Sequence, residues 1–445
     1  MKRNLLAGLG VVAALFAMQF TQADAQGGLF DRFTPCAQVG ECNPCDDDSS
    51  CDPCGDVDSC SKKSSKWFAT GYIEAGFFAN EYGQKNFYNP RTPGYSHNNV
   101  LYGNGGYSNA TDGRYAPLQN VAHTGGQLNQ LYLSVGRAVD GKRGLDIGGT
   151  TDFTFGTDAY LVQSNGLEYG AGHGLANDSW GTGDYYSAIA QAYLEIAYKK
   201  WNVKIGKVYT PFGSNSYKST DRFFYSLADT YAMVPATALA AYATYTVNDK
   251  LSVYGGWAQP DQFGETSDDN AFLFGFDLQV SKRLALSYAL GVGTNETDPT
   301  NDIDYFVQSL VAKYQVNRRL TQVFDWSLYN INPEVGDRQG VYGINTESIY
   351  QYNSRWAFGF RAGWGRNIND FLYPSAGGGQ GYDNKYTFSL GANWTPRKWL
   401  TVKTELRYDK FEDTAAFYTH NDDGTARAAG KTDQFSGGVS AIVKF

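Results

Sequence analysis

The charged residues of segment 400–409 (LTVKTELRYD) alternate with apolar ones. Lys403, Glu405, Arg407 and Asp409 therefore share one face of an extended chain, and apolar side chains occupy the other. A Lys or Arg that faces lipid at mid-depth costs ~2–4 kcal/mol, so we expect this charged face to point toward water. Alternating signs at this spacing could select solutes in an aqueous pore, or form salt bridges that support its wall.

All six cysteines lie in one short acidic segment, which also holds seven acids and no Lys or Arg. In an oxidising compartment three disulfides are the favoured state, with a metal site or links to a neighbouring chain as the alternatives. Fifteen pairings are open, and the spacing does not choose among them. The six residues are Cys36, Cys42, Cys45, Cys51, Cys54 and Cys60.

The histidines carry no recognisable catalytic pattern. His97, His123, His173 and His420 all fall in predicted loops, without an HExxH motif or a nearby Ser/Asp pattern typical of a triad. The sequence therefore predicts a protein that is not an enzyme and that needs neither a cofactor nor a metal.

The start of the chain indicates an exported protein. Residues 1–25 combine a basic start, an apolar run and Ala23-Asp24-Ala25, which is typical of a signal peptide, with a membrane anchor as the alternative. The formal charge of −8 argues against a nucleic-acid partner. The mean hydropathy of −0.43 excludes a helical membrane protein. We expect three parts: a signal peptide (1–25), a Cys-rich acidic periplasmic segment (26–66) and one barrel domain (67–445).

From residue 67 onward the chain is a series of alternating segments of ~9–13 residues, long enough to cross a bilayer as strands. Seven short turns and eight longer polar connections join them in strict alternation. The number of segments and the alternation of short and long connections predict an all-β fold: a transmembrane up-and-down antiparallel β-barrel of about 16 strands, within a range of 14–18. The segments lie near 67–80, 127–139, 144–155, 187–199, 202–209, 236–247, 250–259, 270–281, 284–294, 303–317, 320–330, 341–353, 356–366, 384–395, 399–411 and 433–445.

Aromatic placement and the last strand agree with a membrane barrel. Tryptophans cluster at the short-turn end, with Trp257 and Trp364 near the far end, as two interfacial belts require. The last segment alternates apolar residues up to Phe445, as outer-membrane barrels do. The same alternation gives further lumenal candidates: Glu74, Asp146, Asp152, Glu195, Lys204, Asp325, Glu347 and Arg361.

Several stretches resemble a known family. QLNQLYLSVGRAVD, GLDIGGTTDFTFGTDAY and YYSAIAQAYLEIAYKKWNVKIGKVYTPFG are similar to the OmpL-like β-barrel porins, which are common in planctomycete-type bacteria. The match covers roughly residues 125–445 and is most specific between Gly149 and Trp257. It implies an outer-membrane barrel with a pore for undefined solutes. The Cys-rich segment is not part of the family pattern.

The connection 210–235 joins the fifth and sixth predicted strands. In sixteen-stranded general porins, which this arrangement resembles, the loop at that place folds inward and narrows the pore. The resemblance implies that Lys218, Asp221, Arg222 and Asp229 are constriction residues, held by the aromatic run 223–225. The alternative is an outer cap whose charges are solvated.

Together these features predict an outer-membrane porin through which small hydrophilic solutes or ions diffuse. Both termini are expected on the periplasmic side. Outer-membrane lipid is the expected partner, a homotrimer is expected by analogy, and the cysteines could crosslink the protein to the envelope. Two rivals are a structural or adhesive barrel with a plugged lumen that binds partners through its long loops, and a secreted soluble β-sandwich that binds glycans.

Overall fold

The computed structural model describes ten stretches of the chain: 66–81, 125–164, 167–168, 180–182, 185–260, 270–295, 303–333, 338–368, 382–412 and 431–445. Within them, no helix is long and apolar enough to cross a membrane. The signal peptide, the six cysteines and the four histidines lie outside the described residues, so the predictions made for them stay predictions.

Sixteen long strands and one two-residue strand account for most of the described chain. Their boundaries are β1 Trp67–Asn80, β2 Gly125–Arg137, β3 Asp146–Gly156, β4 Gly181–Thr182, β5 Tyr185–Tyr198, β6 Trp201–Tyr209, β7 Thr237–Asn248, β8 Leu251–Pro260, β9 Asn270–Ser281, β10 Leu284–Asn295, β11 Ile303–Gln315, β12 Leu320–Pro333, β13 Gln339–Gln351, β14 Trp356–Ile368, β15 Tyr382–Arg397, β16 Leu400–Phe411 and β17 Asp433–Lys444.

Each long strand pairs with the long strands before and after it in sequence, always antiparallel. The two residues of β4 pair only with the start of β5. The sheet closes because β17 also pairs with β1, from Tyr72 opposite Lys444 to Asn80 opposite Ser436. Phe445 extends this seam through two backbone hydrogen bonds with Gly71, of 3.0 and 2.9 Å. The prediction of a closed, up-and-down barrel of sixteen strands is confirmed.

Side chains alternate between the two faces of the wall, as the period-two pattern requires. On β16 the charged residues of segment 400–409 point into the barrel, and Lys403, Glu405, Arg407 and Asp409 are all buried there. Their apolar neighbours, such as Leu406 (69% exposed), face outward. An outward apolar face and an inward polar face are what a barrel in lipid needs.

The seven connections at one end of the barrel are tight turns with a recurring chemistry. Asn317 Oδ1 accepts hydrogen bonds from the backbone N–H groups of Arg319 (2.8 Å) and Leu320 (3.1 Å). Asn248 and Asn353 cap their turns in the same way. Such Asx turns satisfy backbone donors without a longer loop. At the other end, β12 and β13 run further than expected, so their connection (334–338) is shorter than the sequence suggested.

Candidate pore and its lumenal loop

The connection between β6 and β7, residues 210–236, lies inside the barrel; we call it the lumenal loop. It leaves and rejoins the wall at one point, where Thr210 N–H donates to Ala236 O over 3.1 Å. Two short 3-10 turns, Ser219–Asp221 and Asp229–Met233, are its only regular structure. Because most of its backbone cannot pair with itself, wall side chains satisfy it instead.

The loop first binds the wall at β11 and β12. Gly213 N–H donates to Ser309 Oγ over 3.1 Å, and Ser214 donates from both its backbone N–H and its hydroxyl to Asp325 Oδ2 at 2.8 Å. Thr230, on the returning part of the loop, donates to the same Asp325 oxygen over 3.2 Å. Asp325 therefore fastens the outgoing and returning arms together.

The middle of the loop reaches the opposite side of the barrel. The Ser219 hydroxyl donates to Glu74 on β1, and Lys403 on β16 donates to the carbonyl oxygens of Ser219 (2.6 Å) and Arg222 (2.7 Å). Gln130 on β2 donates to Tyr217 O over 3.1 Å. These contacts carry the loop across the full width of the lumen.

A second set of contacts holds residues 226 and 227. Ser226 donates from N–H (2.7 Å) and Oγ (2.8 Å) to the two oxygens of Glu405. Arg361 donates to Ser226 O over 3.0 Å and pairs with Glu347 over 2.9 Å, while Arg407 donates to Leu227 O over 2.8 Å. Arg361, Glu405 and Arg407 thus each have both an ionic and a backbone partner, which is the condition for a buried ion pair to be tolerated.

Asp229 anchors the returning arm in a cluster of four charges. Its carboxylate lies 2.5 Å from Lys385 and 3.0 Å from Arg407, and both of these also contact Asp409. Thr387 donates a further hydrogen bond to Asp229 over 2.5 Å. Burial opposes ionisation of Asp229, but Lys385 and Arg407 outweigh it and hold the pKa of this carboxyl below its usual range. Asp229 therefore keeps its negative charge at a lower pH than an exposed aspartate would.

Large side chains of the loop fit over wall glycines. The Tyr225 ring lies against Gly76 of β1 and Gly438 of β17, where an added Cβ would fall 2.5 Å from atoms of that side chain. Phe223 covers Gly359 of β14, where the corresponding distance is 2.3 Å. Any side chain at these positions would push the loop off the wall. We call Gly76, Gly438 and Gly359 the seats of the loop, because its aromatic rings pack directly on them.

A second connection also turns inward, between β3 and β4. The Lys207 ammonium on β6 binds Val162 O (2.8 Å) and Glu168 (2.9 Å), and neither side chain of this ion pair is exposed. The two Glu168 oxygens also accept from Ser164 N–H (2.7 Å) and Ile189 N–H (2.9 Å). The lumen is therefore narrowed from this side as well.

Asp158 lies where the two inward segments meet. It accepts from Gln130 Nε2 over 3.0 Å and lies 3.7 Å from the guanidinium of Arg222. Burial raises the pKa of the Asp158 carboxyl to about 7; the Arg222 charge opposes this rise and the nearby Glu74 adds to it. This makes Asp158 a group that changes charge near neutral pH.

The residues singled out in the sequence divide into two groups. Arg222, Asp229, Arg361, Lys403, Glu405 and Arg407 are all buried and hold the lumenal loop to the wall, and the buried Asp409 pairs with Arg407 and Lys385 of that set of contacts. Lys218 keeps 18% of its side chain exposed while lying 5.2 Å above the Tyr132 ring, and Asp221 is exposed. These last two are the loop charges that remain accessible to water inside the barrel.

Several functional side chains were not singled out by sequence reasoning. No motif or spacing in the sequence marks Asp158, Glu168 or Lys207, and only the fold brings them together. Lys385 shares the inward parity of Thr387 and Ser389 on β15, yet nothing local marks it as the partner of Asp229, which is 156 positions away. The one usable signal was the inward parity of Lys385 on the polar face of its strand. Lys207 shares the parity of the outward-facing Trp201 and Ile205, so alternation alone would have placed it outside the barrel.

The buried charges are of both signs. Nine buried carboxylates and six buried basic groups occur among the described residues, and most lie in mixed clusters. Because pairing within a cluster cancels much of its field, selectivity would depend mainly on the few exposed charges. No group of His, Cys, Asp and Glu in the described part of the chain could hold a metal ion.

A closed sixteen-stranded barrel with an apolar exterior, a polar interior and a loop folded into its lumen is the architecture of an outer-membrane porin. Residues 69–445 match the family model described as "Putative beta-barrel porin-2, OmpL-like", and the chain belongs to that family. Its place is accordingly the outer membrane. The resemblance noted in the sequence is confirmed.

Solved structures of outer-membrane proteins share the fold. OmpT of Vibrio cholerae superposes with a TM-score of 0.51 at 11% identity, covering 86% of this chain and 99% of that one. The anion-selective porin from Comamonas acidovorans gives 0.51 at 9%, covering 85% and 99%. The channel DcaP of Acinetobacter baumannii gives 0.52 at 12%, covering 85% and 97%. No curated protein matches the chain.

Proposed function

We propose that this porin lets small hydrophilic solutes or ions diffuse through its lumen, with no covalent chemistry and no cofactor. The observation that supports this most directly is the polar interior: in the described strands, charged and polar side chains face inward, and the barrel is wide enough to admit a whole loop. A sixteen-stranded barrel leaves an aqueous channel when side chains alone line it. The lumenal loop then sets the size of the opening.

In this proposal Lys218 and Asp221 are the selecting charges, and the buried charges only hold the loop in place. Lys218 lies 3.6 Å from Asp152 on β3, which moderates its charge, whereas Asp221 is exposed with only Thr220 as a neighbouring donor. A passing ion would meet these two groups before any buried pair. Asp221 is therefore the position where a change of sign should matter most.

A planar-bilayer recording tests this. Replacing Asp221 with Lys should shift the ion preference toward anions, because the sign of an exposed charge inside the lumen is reversed. The matched control is D304K, which makes the same change at an exposed outward-facing residue of β11. Equal shifts in the two variants, or none in D221K, would remove Asp221 from the selection of ions.

A second function is a barrel whose lumen is sealed and whose loops bind a partner. The observation in its favour is the extent of the lumenal loop, which hydrogen-bonds to wall side chains on eight strands. Liposome swelling separates the two proposals, because a sealed barrel passes no small sugar.

The orientation of the barrel in the outer membrane is also part of the proposal. We place the short turns and both termini in the periplasm, because longer connections usually face outward in such barrels. A homotrimer is supported by the trimeric form solved for OmpT of Vibrio cholerae, and chemical crosslinking in membranes would test it. The crosslink to the envelope through the Cys-rich segment stays a prediction.

A further inference from the structure

One end of the barrel carries a strong positive charge. The seven short turns, together with Arg397 at the end of β15, hold twelve basic and two acidic residues, a net charge of +10 in a chain whose total is −8. We call these twelve the basic rim. Its members are Lys142, Arg143, Lys199, Lys200, Lys250, Lys282, Arg283, Arg318, Arg319, Arg355, Arg397 and Lys398, and every one is exposed.

These basic side chains have few partners within the described part of the protein. Within the described residues, none of the twelve makes an ion pair, although buried ion pairs are frequent a few residues further into the lumen. Lys200 donates to Val247 O, and Lys199 lies over the Tyr198 ring at 5.1 Å. Like charges at this density repel one another, so the rim costs stability unless an anionic partner covers it.

The rim lies beside the aromatic belt of the same end. Trp201 (51% exposed), Trp399 (51%) and Trp356 (40%) point outward directly next to basic turns. Exposed Trp and Tyr mark the depth of the lipid headgroups on a membrane protein. The basic side chains are therefore at the height where headgroups surround the barrel.

We propose that the basic rim binds the headgroups of anionic phospholipids in the leaflet that surrounds the short-turn end. Every short turn contributes at least one basic residue, so the charge encircles the barrel rather than forming one patch. A ring fits a surrounding lipid layer, whereas a folded partner would need a single face. The acidic segment 36–60 carries only seven acids, fewer than the twelve basic residues of the rim. The proposal depends on the barrel lying in a membrane and not on the lumen being open.

Electron paramagnetic resonance of spin-labelled lipids tests this with the full chain in phosphatidylcholine vesicles. Labelled phosphatidylglycerol should associate roughly two- to fivefold more strongly than labelled phosphatidylcholine, as expected for Lys and Arg near anionic headgroups. High salt should reduce the preference, because it screens exposed charges.

Two variants of equal charge change distinguish the rim from net charge. K282Q/R283Q/R318Q/R319Q removes four rim charges and should lower the preference, whereas R338Q/R366Q/K410Q/K431Q removes four at the opposite end and should not. Equal losses in both variants, or no preference in the wild type, would overturn the proposal. If the wild type shows none but D46N/D47N/D48N gains it, the acidic segment occupies the rim and the lipid assignment is wrong.

Discussion

Arg361 and Arg407 show how single residues hold this lumen in shape. Each guanidinium is buried, binds a carboxylate of the wall and donates to a backbone carbonyl of the lumenal loop. Removing such a group leaves its buried partners uncompensated, which is more damaging than never having had the pair. Sequence alternation could predict that these side chains point inward. It could not predict their partners, because Arg361 and Ser226 are 135 positions apart.

A pH dependence follows from Asp158. Asp in an unfolded chain titrates near pH ~4, whereas burial raises the pKa of Asp158 to about 7 in the folded protein. Between these values the folded state binds more protons, so its stability falls as the pH rises. We expect a higher melting temperature at pH 5 than at pH 8 in detergent micelles, and D158N should lose most of that difference. The exposed Asp249 gives the control D249N, and an unchanged pH dependence in D158N would contradict the assignment.

At the scale of elements, the strands were predictable and the inward segments were not. The sequence places the sixteenth barrel strand at 433–445 and the structure has Asp433–Lys444. The agreement is close because a strand with one apolar and one polar face has apolar and polar residues at alternate positions in its sequence. The lumenal loop has no such period: its conformation depends on wall groups from eight strands. Its inward course was expected only from resemblance, and the connection 157–168 was not expected to turn inward at all.

The buried pair of Lys207 and Glu168 should matter greatly for stability. K207M leaves Glu168 buried without its counter-ion, which typically costs ~3–5 kcal/mol. Urea unfolding of the refolded barrel, followed by tryptophan fluorescence, would measure the loss. K66M is the control, because Lys66 is 46% exposed and its ion pair with Asp146 lies at the surface. Similar midpoints for K207M and the wild type would show that the pair is dispensable.

Shortening the lumenal loop tests what it does to the opening. Replacing residues 213–232 by a short Gly-Ser linker should raise single-channel conductance several-fold, because the cross-section that the loop occupies becomes water. D304K again serves as a control, since it leaves the lumen unchanged. A wild-type barrel that is silent while the shortened one conducts would favour the sealed barrel over the porin.

At the scale of the whole molecule, stability depends on closing the sheet, since a closed barrel has no unpaired edge. The closing pair β1–β17 runs along nine registered positions and is extended by Phe445. The sequence could predict closure from the number and alternation of connections. It could not show that Gly71 makes room for the terminal ring, which lies 2.6 Å from where a Cβ would be.

Deleting Phe445 should weaken this seam. The variant loses two backbone hydrogen bonds with Gly71 and the packing of the ring, so we expect slower folding into vesicles and a lower melting temperature. Heat-modifiable mobility on gels measures both. F445Y, which keeps the backbone and an aromatic ring, is the control. Wild-type folding kinetics in the deletion would show that the last residue does not contribute.

Tyr225 rests on Gly76 and Gly438, which belong to the first and last strands. Glu74 completes this arrangement, because it accepts from Ser219 of the loop and, over 2.8 Å, from Ser440 of β17. These seats come into existence only when the two ends of the chain have met. Assembly therefore has an order: the middle of the chain can take its final position only after the ends are joined. A barrel left open along this line would keep the contacts of the loop with β11, β12 and β14–β16, but Tyr225 would lie on only one of its two glycines and Glu74 would lose Ser440.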